Sequence, residues 1–259
     1  MLRPRIIPCL LVREQGLVKT VQFGAGKYVG DPINAVRIFN EKEVDELMVL
    51  DIDATAAGRT PDYKMIESLA AECRMPLCYG GGVTSVEQAK RIIGLGVEKV
   101  AISSAAVENP RLVGEIAASL GTQSVVVVLD AKKRGGQYEV MTRNGRTATG
   151  KDPAALAADC ERSGAGEIVV NSIDQDGTMG GYDMTLAHAV RATTTVPLTI
   201  LGGAGSLQHV ADLIAAFGVV GAAAGSLFVF KGRYRAVLIN YPNAAEKDAL
   251  VAAASAELS

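Results

Sequence analysis

The chain has 259 residues, 49% of them hydrophobic and 21% charged, with a net charge of −2 at neutral pH. That balance, without a Lys/Arg-rich stripe, excludes a nucleic-acid-binding protein, which would carry a marked basic excess. No window reaches the roughly 18 consecutive apolar residues of a membrane helix, and the length suits a single large core.

The first apolar run, MLRPRIIPCLLV, resembles a secretory leader only briefly. A proline interrupts it and no small-residue cleavage site follows, so it reads as a buried strand over Arg5–Leu11. Seven further apolar runs predict strands at Leu47–Asp51, Pro76–Gly80, Lys99–Ser103, Ser124–Asp130, Glu167–Ser172, Pro197–Gly202 and Val219–Gly225. They are continuously apolar rather than alternating, as in parallel strands covered on both faces. Segments of helical period lie between them, such as Met65, Ile66 and Leu69, or Val86, Ala89, Ile92 and Ile93. Asp31-Pro32, Ser85 with Glu87, Asn109-Pro110 and Asp152-Pro153 are helix starts. Eight strand–helix units without a linker predict one domain over residues 1–259, an α/β fold of the single (β/α)8 TIM-barrel type with a C-terminal helical tail. An open doubly wound sheet is the lesser alternative.

The chain repeats itself with a period near 120 residues. Leu50-Asp51-Ile52-Asp53 returns as Asn171-Ser172-Ile173-Asp174, and each is followed by a glycine-containing loop and a tyrosine, Tyr63 or Tyr182. Gly80-Gly81-Gly82 returns as Gly202-Gly203-Ala204-Gly205, and Ser103-Ser104 as Gly225-Ser226. The barrel therefore reads as two half-barrels, about 1–121 and 122–242.

The four cysteines (Cys9, Cys73, Cys78, Cys160) show no metal-ligand spacing and read as reduced thiols of a cytoplasmic protein. The two histidines, His188 and His209, sit in helical stretches and read as structural or surface residues, so no metal site is expected.

In a barrel the ligand binds where the strand ends meet the following loops. The repeated glycines fall there, and backbone N–H groups entering a helix bind anions. This places Gly82, Ser103 and Ser104 around one phosphate and Gly177, Gly203, Gly225 and Ser226 around another. Glycines at such turns also have a purely conformational use, but their symmetric pairing favours a ligand with a phosphate at each end. Asp51, Asp130, Asp174 and Asp176 are the rim carboxylates between them. Asp130 ends a wholly apolar strand and is a candidate general acid or base. Its twofold mate falls at Leu10-Leu11, where no acid stands. At the strand starts, Arg5, Glu46, Lys99 and Glu167 read either as solvated ends or as a ring of two acids and two bases closing the barrel bottom.

These motifs carry a resemblance. Arg5-Ile6-Ile7-Pro8-Cys9-Leu10, Val18-Lys19, Gly30-Asp31-Pro32, Ala105-Ala106-Val107, Asp130-Ala131-Lys132, Gly164-Ala165-Gly166-Glu167-Ile168 and Asp174-x-Asp176-Gly177-Thr178 are similar to the cyclase subunit of imidazole glycerol phosphate synthase, end to end. The resemblance implies a cytoplasmic barrel without a cofactor that receives ammonia from a glutaminase docked on its bottom, through a gate formed by Arg5, Glu46, Lys99 and Glu167. It also implies catalytic roles for Lys19, Asp130 and Asp176, with an aspartate at the position of Leu11. Leucine can neither donate nor accept a proton. Ser103 stands where the family usually has asparagine, and Arg13–Thr20 departs from the pattern apart from Lys19. The combination resembles a paralogous group found beside surface-glycan genes, in which barrel and glutaminase supply ammonia for converting an acetamido sugar to an acetamidino sugar. There a third, ATP-dependent amidotransferase is thought to perform the amidation. Channelling for glycan amidation is therefore the first expectation, and a histidine-pathway cyclase the second. A non-catalytic scaffold binding a phosphorylated metabolite is the third.

Overall fold

The computed structural model describes residues 3–256; Met1 and Leu2 of the first apolar run and residues 257–259 of the tail lie outside the described residues. Eight parallel strands form the barrel: β1 (Arg5–Arg13), β2 (Leu47–Asp51), β3 (Leu77–Gly80), β4 (Lys99–Ile102), β5 (Val125–Arg134), β6 (Glu167–Ser172), β7 (Leu198–Leu201) and β8 (Gly221–Ala224). Each pairs in parallel with the next, and β8 pairs with β1, so the sheet closes. Closure settles the choice against an open sheet. The tail is the last outer helix, Ala244–Ala256, and it packs against Leu207–Phe217.

Alternation along each strand explains why its residues are apolar without a break. On β1, Ile6, Leu10 and Val12 face the helices, while Ile7 and Cys9 fill the barrel interior with Leu11 packed against them. Met48, Cys78, Ala101, Val126, Val128, Val169, Leu201 and Ala223, with Leu50 against them, complete that interior, so the barrel is a packed core rather than a pore. The expected helix starts at Asp31, Ser85 and Asp152 are side-chain caps, accepting from the N–H of Asn34, Gln88 and Ala155. Each such cap contributes about 1 kcal/mol. Asn109-Pro110 differs: the helix begins at Arg111 with Pro110 as its cap and no side-chain bond.

Two strands run further than the sequence reading placed them. β1 continues to Arg13 and turns back antiparallel through Gly16–Lys19, which pairs in turn with Lys27–Gly30. β5 continues to Arg134 and turns back through Gln137–Thr142 to Thr147–Ala148. The turns are Glu14-Gln15 (φ 48° and 63°) and Gly135-Gly136 (φ 56° and 87°), both left-handed pairs that match the twist of a two-residue hairpin. The two hairpins rise from equivalent strands of the two halves and stand over the same end of the barrel.

Candidate active site and basal ion-pair ring

At the C-terminal strand ends a cavity of about 410 Å3 is lined by Leu11, Lys19, Asp130 and Asp176. Gly82, Ser103 and Ser104 line it from one half and Gly177, Gly203, Gly225 and Ser226 from the other, so the candidate phosphate-binding and catalytic residues meet one space. Beyond β4, Ser103 caps the short helix Ser104–Glu108; beyond β8, Gly225 caps Ser226–Val229. Neither cap has a side chain bonded to the helix's first N–H groups. The first-turn N–H groups at these two equivalent places have no side-chain competitor for an anion.

Three of the expected anion-site residues also make hydrogen bonds within the protein. The Gly82 N–H donates to Thr55 Oγ1 at 3.2 Å. The Ser104 hydroxyl accepts from the Arg143 N–H at 3.0 Å, and the Ser103 hydroxyl donates to Asp130 Oδ2 at 3.4 Å. Because the Ser104 hydroxyl only accepts in that bond, its own proton stays free to donate to an anion. Gly177 has a clear conformational reason as well: its φ is +68°, and a methyl there would strike the Thr20 carbonyl.

Asp130 is held by Asn171, whose Nδ2 donates to Oδ1 at 2.9 Å. Burial pushes its carboxyl up to about 6, against the pull of the Asn171 and Ser103 bonds, and the nearby Asp176 charge adds to the rise. A carboxyl that titrates there can act as acid or base near neutrality. The equivalent strand ends of the other half tell a different story. Asp130 pairs in register with Asn171, and Leu11 pairs in register with Leu50. One side of the mouth is therefore Ser103–Asp130–Asn171 and its twofold counterpart Gly225–Leu11–Leu50.

Lys19 reaches in from the first hairpin, buried, and donates to the Cys9 carbonyl at 2.7 Å. Desolvation lowers its pKa, opposed by Cys9 and Asp176. Gly225 makes room for it, since a methyl there would collide with Lys19 Nζ. Asp176 accepts from Thr20 Oγ1 at 2.8 Å and from the Phe23 N–H at 3.3 Å, pinning the first hairpin loop. Burial raises its pKa, with those bonds and Lys19 opposing. Two rim carboxylates are otherwise employed: Asp174 accepts from the Lys133 N–H at 2.7 Å, outside the cavity lining, and Asp51 accepts from the N–H groups of Asp53 and Ala54 at 3.1 and 3.0 Å. His188 stacks on Phe217, and His209 Nδ1 accepts from the Gly205 N–H at 3.1 Å.

At the other end of the barrel the four strand-start charges meet. Arg5 bonds Glu46, and its Nη2 lies 2.8 Å from Glu167 Oε1. Lys99 Nζ lies 2.9 Å from both Glu46 oxygens and 2.8 Å from Glu167 Oε2. Signs alternate around the ring, and Thr199 Oγ1 adds a 2.6 Å bond to Glu167. The acids are buried and the cations sit at the outer lip, with side-chain exposures of 27% for Arg5 and 20% for Lys99. Burial works against the charge on Glu167, but Arg5 and Lys99 outweigh it and its pKa is lowered. The Lys99 pKa is raised: burial opposes its charge, and Glu167 and Glu46 prevail.

The sequence reading missed Asn171 as a site residue, although it lay inside the repeat as the counterpart of Leu50. It also missed Arg13 and Arg146, which the unread hairpins bring to the cavity. Arg13 Nε bonds Asp53 Oδ2 at 2.6 Å.

A closed parallel barrel with one polar mouth and a charged basal ring defines the class: a (β/α)8 barrel with its site at the strand C-termini. The chain belongs to the family described as histidine biosynthesis protein, whose model matches residues 5–235. It is 57% identical over 252 residues to a putative imidazole glycerol phosphate synthase subunit HisF of Leptospira borgpetersenii, covering 96% of this chain and 99% of that one. It is 57% identical over 249 residues to a putative subunit hisF3 of Vibrio vulnificus, covering 95% and 96%. It is 41% identical over 228 residues to the imidazole glycerol phosphate synthase subunit HisF of Exiguobacterium sibiricum, covering 88% and 91%. No described helix is long and apolar enough to cross a membrane.

Proposed function

We propose that this chain is the ammonia-using barrel subunit of a glutamine-dependent synthase. A glutaminase docked on the N-terminal face releases ammonia. Neutral ammonia passes the ring of Arg5, Glu46, Lys99 and Glu167 and crosses the apolar interior to a phosphorylated acceptor at the mouth. The observation that carries this reading is the ring itself. Among the described residues, four charged side chains that bond one another and Thr199 close an otherwise apolar barrel, where hydrophobic residues of like volume are often at least as stable. A gate accounts for them. It turns back ammonium, which meets Lys99 and Arg5, while neutral ammonia can enter an apolar interior whose small side chains, such as Cys9, Cys78, Ala101 and Ala223, fill it least.

Two acceptors fit. The names of the relatives favour the ribonucleotide substrate of imidazole glycerol phosphate synthase, with Asp130 as the proton-transferring acid and Lys19 and Asp176 beside it. Leu11 favours a sugar of surface-glycan (O-antigen type) biosynthesis, with a third, ATP-dependent amidotransferase taking the ammonia onward, because the mouth holds one strand-end carboxylate where the cyclase uses two. Ammonia-dependent turnover of the ribonucleotide by the purified chain decides between them. A rate near that of an ordinary cyclase assigns histidine biosynthesis and ends the glycan reading; no turnover with intact glutaminase coupling assigns the conduit. In either case the chain works in the cytoplasm as one domain of two half-barrels, about 1–121 and 122–242, without a cofactor. A scaffold role would require that Lys99 or Glu167 substitutions leave coupling unchanged.

A further inference from the structure

The basal ring is not held equally all round. Arg5 is in register with Gly221, Lys99 with Cys78 and Glu167 with Val126, so three of its members sit on strand ladders. Glu46 stands one residue before β2 and has no register partner among the described residues. Pairing between β1 and β2 begins only at Cys9 with Met48. On that side β1 presents the peptide groups of its even-numbered residues, as Val12 shows by accepting from the Ile52 N–H at 3.1 Å. Pro8 is one of these and has no N–H to give, so the ladder stops there. Below it lies a seam whose two lips carry Arg5 and Glu46.

Side chains close the seam where a ladder does not. The Ile6 N–H donates to Asp45 Oδ2 at 2.9 Å, and the Ile6 carbonyl accepts from the Tyr241 hydroxyl at 2.8 Å. The same hydroxyl accepts from the Asp45 N–H at 3.3 Å. Lys247 Nζ, on the last outer helix, lies 2.8 Å from Asp45 Oδ1 and donates to the Glu43 carbonyl at 3.2 Å. The immediate chain neighbours of Arg5 and Glu46 are thus clasped together by the C-terminal segment.

We infer that the ring opens at this seam, with Arg5 parting from Glu46, and that Asp45, Tyr241 and Lys247 are positioning residues that hold it shut. The inference rests on reading the ring as an ammonia gate. Parting there leaves every charge a partner, since Arg5 keeps Glu167 and Glu46 keeps Lys99. It also breaks no ladder, whereas the other members are anchored by their strands and can move only their side chains.

Cys78 reports such an opening without an acceptor or a partner chain. It is fully buried in the barrel interior, in register with Lys99, whereas Cys160 is buried outside the barrel on the helix Pro153–Arg162. The intact chain is treated with methyl methanethiosulfonate and labelling of each thiol is followed by mass spectrometry, with amide hydrogen exchange at Ile6 and Ile168 measured in parallel. Tyr241→Phe removes two bonds of the clasp. It should speed Cys78 labelling and Ile6 exchange at least about tenfold, with Cys160 and Ile168 within about twofold of wild type. Pro8→Ala restores an N–H at the interruption and should slow both by about threefold or more, which keeps a test if Tyr241→Phe does not fold. Unchanged rates at Cys78 and Ile6 overturn the inference. So does an equal rise at Cys160 and Ile168, which marks general loosening, or a faster Ile6 with Cys78 unchanged, which marks a seam that leads nowhere. A seam that opens while Lys99→Met leaves ammonia delivery intact sinks the gate, whereas a seam that stays shut while Lys99→Met abolishes delivery sinks this inference alone.

Discussion

Asn171 and Asp130 are register partners on adjacent strands, and the 2.9 Å bond between their side chains spans them at the point where the barrel opens. The bond holds the carboxylate toward the cavity and partly offsets its burial.

The balance still leaves Asp130 near 6, above its ordinary 3.8, which gives stability a pH dependence of definite sign. Below about pH 4 the group is protonated folded or unfolded. Between about 4 and 6 the unfolded chain releases the proton while the folded chain keeps it, so stability falls with rising pH by up to about 3 kcal/mol. Above 6 the loss is complete and constant. Asp130→Asn lacks this loss, so its stability relative to wild type should improve from pH 4 to 6 and then level off. Urea unfolding of both proteins across that range checks it; a difference independent of pH would refute the raised carboxyl.

The basal ring has the opposite acid behaviour. Glu167 is held below its ordinary 4.5, so its contribution is present above that pH and is lost as pH falls through the lowered folded value. Lys99 is raised above 10.5, so its share is present below that pH and lost in strong alkali. Glu167→Ala leaves Arg5 and Lys99 to share Glu46 alone and should cost about 3–5 kcal/mol, the scale for breaking a buried pair. Glutamine hydrolysis by a bound glutaminase should continue in Glu167→Ala and in Lys99→Met, while amidated product falls at least about tenfold. Equal losses in both reactions would contradict the gate.

How the sequence foretold these features depends on what kind of signal each left. The barrel strands were legible because residues facing both the helices and the interior are apolar, as Ile6 and Ile7 illustrate on β1. The ring residues were legible because each charge abuts an apolar run. The first hairpin was hidden because its turn uses Glu14 and Gln15 in left-handed conformations that neither residue advertises. The second had a signal, Gly135-Gly136, which implies a two-residue turn and a strand extending past Asp130. The directions of Asp174 and Asp51 were not readable, since a rim carboxylate serves a loop N–H as readily as a cavity, and only tertiary contacts decide.

Two glycines of the mouth should separate binding from folding. Gly225 has an ordinary φ, and the atom a methyl would meet first is the far end of the flexible Lys19 side chain. Gly225→Ala should therefore displace Lys19 from Cys9 and weaken phosphate-ligand binding about tenfold, with stability changed by less than about 1 kcal/mol. Gly177 meets the Thr20 backbone at a φ of +68°, so Gly177→Ala should cost about 1–3 kcal/mol and loosen the first hairpin. Thermal unfolding and calorimetry on the two variants test the contrast, and a larger stability loss for Gly225→Ala would show that Lys19 cannot move aside.

Leu11→Asp asks whether the missing acid is all that separates this mouth from a two-carboxylate one. The new side chain would stand beside Leu50 and Val18 in register, half-buried in the cavity that Lys19 also lines, and should cost about 1–3 kcal/mol. Lys19, Asp130, Asp176 and both strand-end turns would be unchanged. If position 11 alone is decisive, the variant gains ammonia-dependent turnover of the ribonucleotide at least about tenfold over wild type. If it gains none while remaining folded, the polar side formed by Ser103 and Asn171 has also been refitted. Adding Ser103→Asn to the variant then distinguishes a mouth short of one further hydrogen bond from one shaped for a different acceptor.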